Sequence, residues 1–151
     1  MFQDSALIKQ RHTKFISTVC TTEIVSALKN RKGFATTSSN HYDDVDGNPV
    51  EMICFWAEKA RVKSCIKGEW KSYKTQQIQL TDFLENWCLG MENDGLLIGT
   101  EFDQNMFGYE AEPTELIFEI IQGLKKLEKE LSLKKFKGIF DLEQQVKDIL
   151  S

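Results

Sequence analysis

The sequence predicts an α+β fold: a largely antiparallel sheet of about five to six strands flanked by helices, packed in layers as one domain with a helical extension at its C-terminus. Three observations lead there. Segments with apolar residues three or four apart alternate with short β-branched and aromatic runs. Their order is helix, three strands, helix, strand, helix, hairpin, helix, helix, which argues for a mainly antiparallel sheet. At 151 residues the chain is long enough to bury one core without staples.

Ile8, His12, Phe15 and Val19 mark one face of a first helix over residues 5–19. Glu23–Leu28 reads as a strand, Gly33 breaks it, and Phe34–Ser38 returns as a second. Ser39–Pro49 is a polar loop around Asp46-Gly47. Val50–Trp56 is a buried strand and Ala57–Ile66 a short helix stopped by Gly68. After a connector bearing Trp70 and Tyr73, Gln76–Leu80 forms another strand. Thr81 is placed to cap a helix whose inner face is Phe83, Leu84, Trp87, Cys88 and Met91. Leu96–Phe102 and Met106–Ala111 form a hairpin around Asp103-Gln104-Asn105.

Pro113 starts the strongest helix, with Ile117, Ile120, Leu124, Leu127 and Leu131 along it. Residues 1–131 thus make the domain, and residues 132–151 a helical extension expected to pack on it. In that extension Asp141 and Gln144 have capping-box spacing, and Leu142, Val146 and Ile149 supply an apolar edge. The predicted common core is Phe55, Trp56, Phe83, Trp87, Leu97, Ile98, Ile117, Ile120 and Leu124.

Charge is unevenly distributed. From Thr75 to Gly123 there is no Lys or Arg, yet ten of the chain's 23 acidic residues fall there. The remainder holds all 19 basic residues against 13 acidic ones. This asymmetry points to a cationic partner for the acidic side. Glu85, Glu92, Asp94, Glu101, Glu110 and Glu112 are the candidate contacts, weighed against an ordinary solvated face. A sequence pI near 5.3 argues against general nucleic-acid binding. No apolar stretch is long enough to span a bilayer, and the N-terminus lacks the pattern of a secretory signal. Cys20, Cys54, Cys65 and Cys88 are irregularly spaced among apolar neighbours, as expected of buried thiols in a reducing cytoplasm.

With these elements placed, the chain resembles the bacterial domain-of-unknown-function 2750 family. The matching features are Phe55-Trp56, the extended Ile78–Leu80, Phe83-Leu84-Glu85 with Trp87, Asp94-Gly95-Leu96-Leu97-Ile98-Gly99, Gly108-Tyr109 and Glu112-Pro113. They lie within residues 15–121. The resemblance implies a fold and a bacterial or phage origin, and it transfers no catalytic residue. This chain departs from it in having no basic residue between Trp87 and Asp94-Gly95, and in its tail beyond Gly123.

Motifs for chemistry are sparse. Asp44-Val-Asp46-Gly-Asn48 resembles the start of a calcium loop, but the required Gly falls on Pro49 and the bidentate Glu on Phe55. With only His12 and His41 and no Cys-x-x-Cys, no zinc set is visible. There is no nucleophile elbow and no phosphate-binding glycine loop, so no cofactor or catalytic residue is assigned. His12 reads as a structural histidine on an apolar stripe, His41 as a loop histidine beside carboxylates. Trp70, between Glu69 and Lys71, is either an exposed interface aromatic or a loop anchor.

Three functions are consistent with these features. One is a small cytoplasmic protein that binds a basic protein, as an immunity protein or inhibitor does. Another is a hydrolase using Glu and Asp with one histidine. The last is a domain that self-associates as a homodimer through its basic C-terminal extension.

Overall fold

A computed structural model describes residues 5–150. The architecture is α+β, but its seven strands form two sheets rather than one. The first sheet has the order β2-β1-β5 and is antiparallel, from β1 (Ile24–Asn30), β2 (Gly33–Phe34) and β5 (Lys74–Gln79). The second has the order β3-β4-β6-β7, from β3 (Thr36–Asp43), β4 (Pro49–Phe55), β6 (Leu97–Thr100) and β7 (Tyr109–Ala111). Within it β4 and β6 run parallel, while the predicted hairpin of β6 and β7 is present. The expectation of a largely antiparallel sheet missed that parallel pair, because it joins segments some 45 residues apart and only tertiary packing selects it.

One backbone bridge couples the sheets. Ser26 and Trp56 exchange both N–H···O bonds at 2.8 Å, at the end of β4. The segment predicted as a polar loop from Ser39 is strand as far as Asp43, paired with β4 across a bulge. Only the tip is a turn, and there Asp44 accepts from the N–H groups of Asp46 (2.9 Å) and Asn48 (3.0 Å). Glu110 on β7 accepts from the Ser39 hydroxyl and the Asn40 N–H (2.8 Å) on β3, so the two edge strands of the second sheet meet through one carboxylate.

The predicted common core is divided by the pleat of β4 and β6. Successive side chains of a strand point to opposite faces. Phe55 and Ile98 therefore join one cluster, with Phe83, Ile117, Ile120 and Leu124, while Trp56 and Leu97 join another with Met52, Cys54, Val62 and Trp70. Trp87 is half-buried and packs edge-on against Phe34 and Phe55. Trp70 is a loop anchor, buried edge-on against Trp56, whose indole N–H donates to the Phe102 carbonyl at 2.9 Å.

Helix α1 (Ser5–Thr22) covers the larger cluster, and α2 (Lys59–Ser64) the smaller. Residues 80–93 form one continuous helix: α3 (Leu80–Asp82), a π-helical stretch (Phe83–Cys88) and α4 (Leu89–Asn93). It starts at Leu80, without the predicted Thr81 cap; the Leu80 N–H donates instead to the Glu23 carbonyl. The π stretch breaks the 3.6-residue period and turns Phe83, Leu84 and Glu85 inward together.

Glu85 is therefore buried, contrary to its expected place as a partner contact. Its carboxylate accepts the backbone N–H groups of Lys134 (2.8 Å) and Lys135 (2.5 Å). Beyond α5 (Pro113–Lys126), that contact pins the connector to α6 (Ile139–Leu150). Ile139, Leu142 and Val146 enter the main cluster, each apolar side chain contributing about 1.5–3 kcal/mol. Ile149, expected on the apolar edge, is exposed. Asp141 accepts from the Lys137 N–H, and Glu130 caps α6 through the Ile139 N–H at 2.8 Å.

Glu143 fastens α6 to α5, accepting from Lys125 Nζ (2.8 Å) and Gln122 Nε2 (2.9 Å). The Lys125 hydrogen bond holds its carboxyl below the ordinary glutamate range. The folded chain thus binds this proton more weakly than the unfolded chain. The resulting stability is complete above the ordinary pKa of about 4.3 and is lost as pH falls. We expect Glu143→Gln to lower the melting temperature at pH 7 and to flatten its fall between about pH 5 and 3. A parallel acid limb in variant and wild type would contradict this assignment.

Candidate functional site

Polar groups gather where the parallel strands β4 and β6 end, the side of a parallel pair on which open sheets place ligands. Glu101, the first residue after β6, has φ +51°, a left-handed conformation unusual for a residue with a side chain. This conformation sends its carboxylate under α2, where it accepts from the Ala57 N–H and from Arg61 Nη1 at 2.8 Å. The Glu101 side chain is 1% exposed. Burial pushes its carboxyl up, while Ala57 and Arg61 pull the other way. Glu101 is thus a staple between β6 and α2, and it does not offer a partner the surface charge expected of it.

His12, in the third turn of α1, is buried in the same region. Its Nε2 lies 2.9 Å from Glu119 Oε1 and its Nδ1 2.7 Å from Thr100 Oγ1. A carboxylate only accepts, so Nε2 carries a proton, and Nδ1 shares a hydrogen bond with the Thr100 hydroxyl, which can donate or accept. The ring stacks on Tyr109 with centroids 3.9 Å apart. Threonine, histidine and glutamate stand in the order nucleophile, base and orienter. However, Thr100 is 1% and His12 3% exposed, and both ring nitrogens are already bonded. This is a satisfied structural histidine, as its place on the apolar stripe predicts. Arg11 pairs with Asp103 at 3.3 Å and Lys14 with Glu58 at 3.3 Å, closing the rim.

From Glu119 an acidic ridge runs back along α5. Glu112, Glu115 and Glu119 are three and four residues apart, hence on one face, and all are exposed. Glu92 from α4 joins them and accepts from the Thr114 N–H at 3.2 Å. The Glu115 carboxyl is pushed up by partial burial and by Glu112, Glu119 and Glu92. Burial and then Glu119 and Glu115 push the Tyr109 phenol up as well. Among the described residues, Glu92, Glu112 and Glu115 make no ion pair with a Lys or Arg.

Of the six carboxylates expected to contact a partner, the structure brings Glu92 and Glu112 to this ridge. Glu85 and Glu101 are buried, and Glu110 serves the edge of the sheet. Asp94 is exposed at the end of α4. Glu115 and Glu119 were missed as contacts, although their spacing from Glu112 on one helix face was readable. His41 is exposed on β3.

Beside Glu119 lies an open groove of ≈ 430 Å³ between α1 and α5, floored by Ile16, Cys20, Gly123 and Leu127. Its depth depends on Gly123, where a Cβ would meet Cys20 Sγ at 2.7 Å. Burial pushes the Cys20 thiol up to about 11, so at neutral pH it is an unreactive thiol. All four cysteines are free and buried. Among the described residues no group of three or more His, Cys, Asp or Glu is placed to hold a metal ion, and no helix is long and apolar enough to cross a membrane.

The fold and site define a small α+β domain with a charged, grooved helical face and a fully bonded polar interior. The chain matches the family model described as a protein of unknown function (DUF2750) over residues 12–120, well over half its length, and it belongs to that family. No curated protein and no solved structure matches it. The matched span includes His12, Thr100, Glu101 and the whole acidic ridge, and it ends within α5 before α6 begins.

Removing the Glu101 carboxylate leaves Arg61 and the half-buried Ala57 N–H without their acceptor. We expect Glu101→Ala to destabilise the domain by about 3–5 kcal/mol and Glu101→Gln by less, since Gln keeps an acceptor without a buried charge. Urea denaturation measures both. Equal, small losses would show that the staple carries little of the fold.

Proposed function

We propose that this protein is a binding domain that engages a basic protein through the α5 ridge of Glu112, Glu115 and Glu119, with Glu92, and the adjoining groove. The observation carrying this reading is a cluster of four carboxylates on one face, of which Glu92, Glu112 and Glu115 have no Lys or Arg ion pair among the described residues, and in which partial burial and the other three push the Glu115 carboxyl up. Such a surface attracts cations at long range and is relieved by them on contact. The apolar floor beside Glu119 suits the aliphatic side of an amphipathic basic segment. An immunity protein or inhibitor that covers the basic surface of a nucleic-acid-binding enzyme is the biological form this reading takes. Four buried free thiols support a cytoplasmic setting.

The hydrolase reading has less support, because the histidine it needs is enclosed and bonded at both nitrogens. For self-association through the tail, α6 has already committed Ile139, Leu142 and Val146 to its own domain. Phe140 and Ile149 are exposed but nine residues apart, on opposite sides of the helix.

The test uses a labelled amphipathic Lys/Leu peptide as probe in stopped-flow binding. Association should slow with added salt, because steering is screened over about 10 Å at 0.1 M. The double variant Glu112→Gln/Glu115→Gln, which touches no internal bond, should slow it about threefold to tenfold. A rate indifferent to salt and to both substitutions would refute the proposal.

A further inference from the structure

The end of the three-stranded sheet opposite in charge to the ridge holds a second groove, of ≈ 800 Å³. Its charged lining is Lys29, Arg31, Lys32 and Lys74, with no carboxylate among the lining residues. Among the described residues none of these four is in an ion pair.

Two local rules are broken here. Lys29 and Lys74 are directly opposed across the β1–β5 pair, where like charges are destabilising. The β1–β2 hairpin turns on Arg31-Lys32, since Asn30 pairs with Gly33. Neither turn residue has the positive φ of the two-residue turns that match strand twist. The Asn30 side chain holds the turn instead, accepting from the Lys32 (2.9 Å) and Gly33 (3.2 Å) N–H groups. Lys29 Nζ lies 5.2 Å from the Phe34 ring centroid, but neither that ring nor Asn30 brings a negative charge to the four cations. Local rules broken in this way are expected at functional or strained sites.

A third observation selects the ligand. Among the described residues strand β5 pairs only with β1, and its residues 74–77 are exposed in succession, on both faces. It is an open edge whose outward N–H and C=O groups can take another strand. Phosphate ligands have no use for such an edge; a peptide does.

We propose that this groove binds an extended acidic peptide segment of a partner protein, added as a fourth strand along β5, with its carboxylates against Lys29, Arg31, Lys32 and Lys74. The site goes beyond the acidic-ridge reading and does not depend on it. Lys74 stands on the receiving strand itself. Lys29 and the turn lie one strand spacing of about 4.8 Å further in, within reach of long side chains. The protein then carries two docking sites of opposite sign.

The probe is a labelled twelve-residue peptide alternating Glu with Val or Thr, titrated into the full chain by fluorescence anisotropy. Binding should weaken roughly tenfold or more in the variant Lys29→Gln/Arg31→Gln/Lys32→Gln/Lys74→Gln, whose fold is checked by circular dichroism. It should also be lost when alternate backbone nitrogens of the peptide are methylated, which keeps the charge and blocks strand pairing. Glu112→Gln/Glu115→Gln should leave this binding unchanged, separating it from the ridge. Equal binding of the methylated peptide, tighter binding of a single-stranded oligonucleotide of the same charge, or no binding of the peptide would each overturn the proposal. In the last case Lys74 merely guards an edge against aggregation.

Discussion

A carboxylate withdrawn from water must find donors, and the architecture of this protein is organised around three that have been withdrawn. Glu85, Glu101 and Glu143 are each less than 5% exposed. Each joins two separate elements: Glu85 the central helix to the C-terminal connector, Glu101 the end of β6 to α2, Glu143 α6 to α5. Among the described residues no buried side-chain nitrogen or oxygen lacks a partner. Such contacts add little net energy while intact, but breaking one strands a buried charge or its donors. They therefore fix which elements meet more than they raise stability.

The second organising feature is the sheet pair. Because β4 and β6 are parallel and adjacent, their C-terminal ends deliver Trp56 and Glu101 to the same end of the sheet. There the Ser26–Trp56 bridge ties in the other sheet, and α1 brings His12 over Thr100. The polar groups collected in this way bond to one another, leaving the chemistry of the surface to the outer carboxylates of α5. Glu119 belongs to both, bonded to His12 on one side and standing beside the groove on the other.

Surface charge is segregated by the same folding. Glu112, Glu115 and Glu119 stand exposed along the first half of α5, where the helix dipole favours carboxylates near the N-terminus. Lys29, Arg31, Lys32 and Lys74, none in an ion pair among the described residues, line a groove on the small sheet. The two proposed docking surfaces rest on these two groups of charges.

The sequence by itself determined the class of fold and most of its elements. The stripe of α1, the Pro113 helix start, the β6–β7 hairpin and the buried cysteines all follow from local periodicity, turn chemistry and side-chain type. Those signals act between near neighbours, so they survive without knowledge of the rest of the chain. Tertiary structure alone decided the parallel β4–β6 pairing, the division of the core between Phe55 and Trp56, and the fate of each carboxylate. An acidic run looks the same in sequence whether its members face water or backbone N–H groups. Glu85 was turned inward by a π-helical stretch and Glu101 by a left-handed φ, both of which depend on contacts from remote segments. The acidic window was legible from composition; which of its charges remained at the surface was settled by the donors that folding brought to the others.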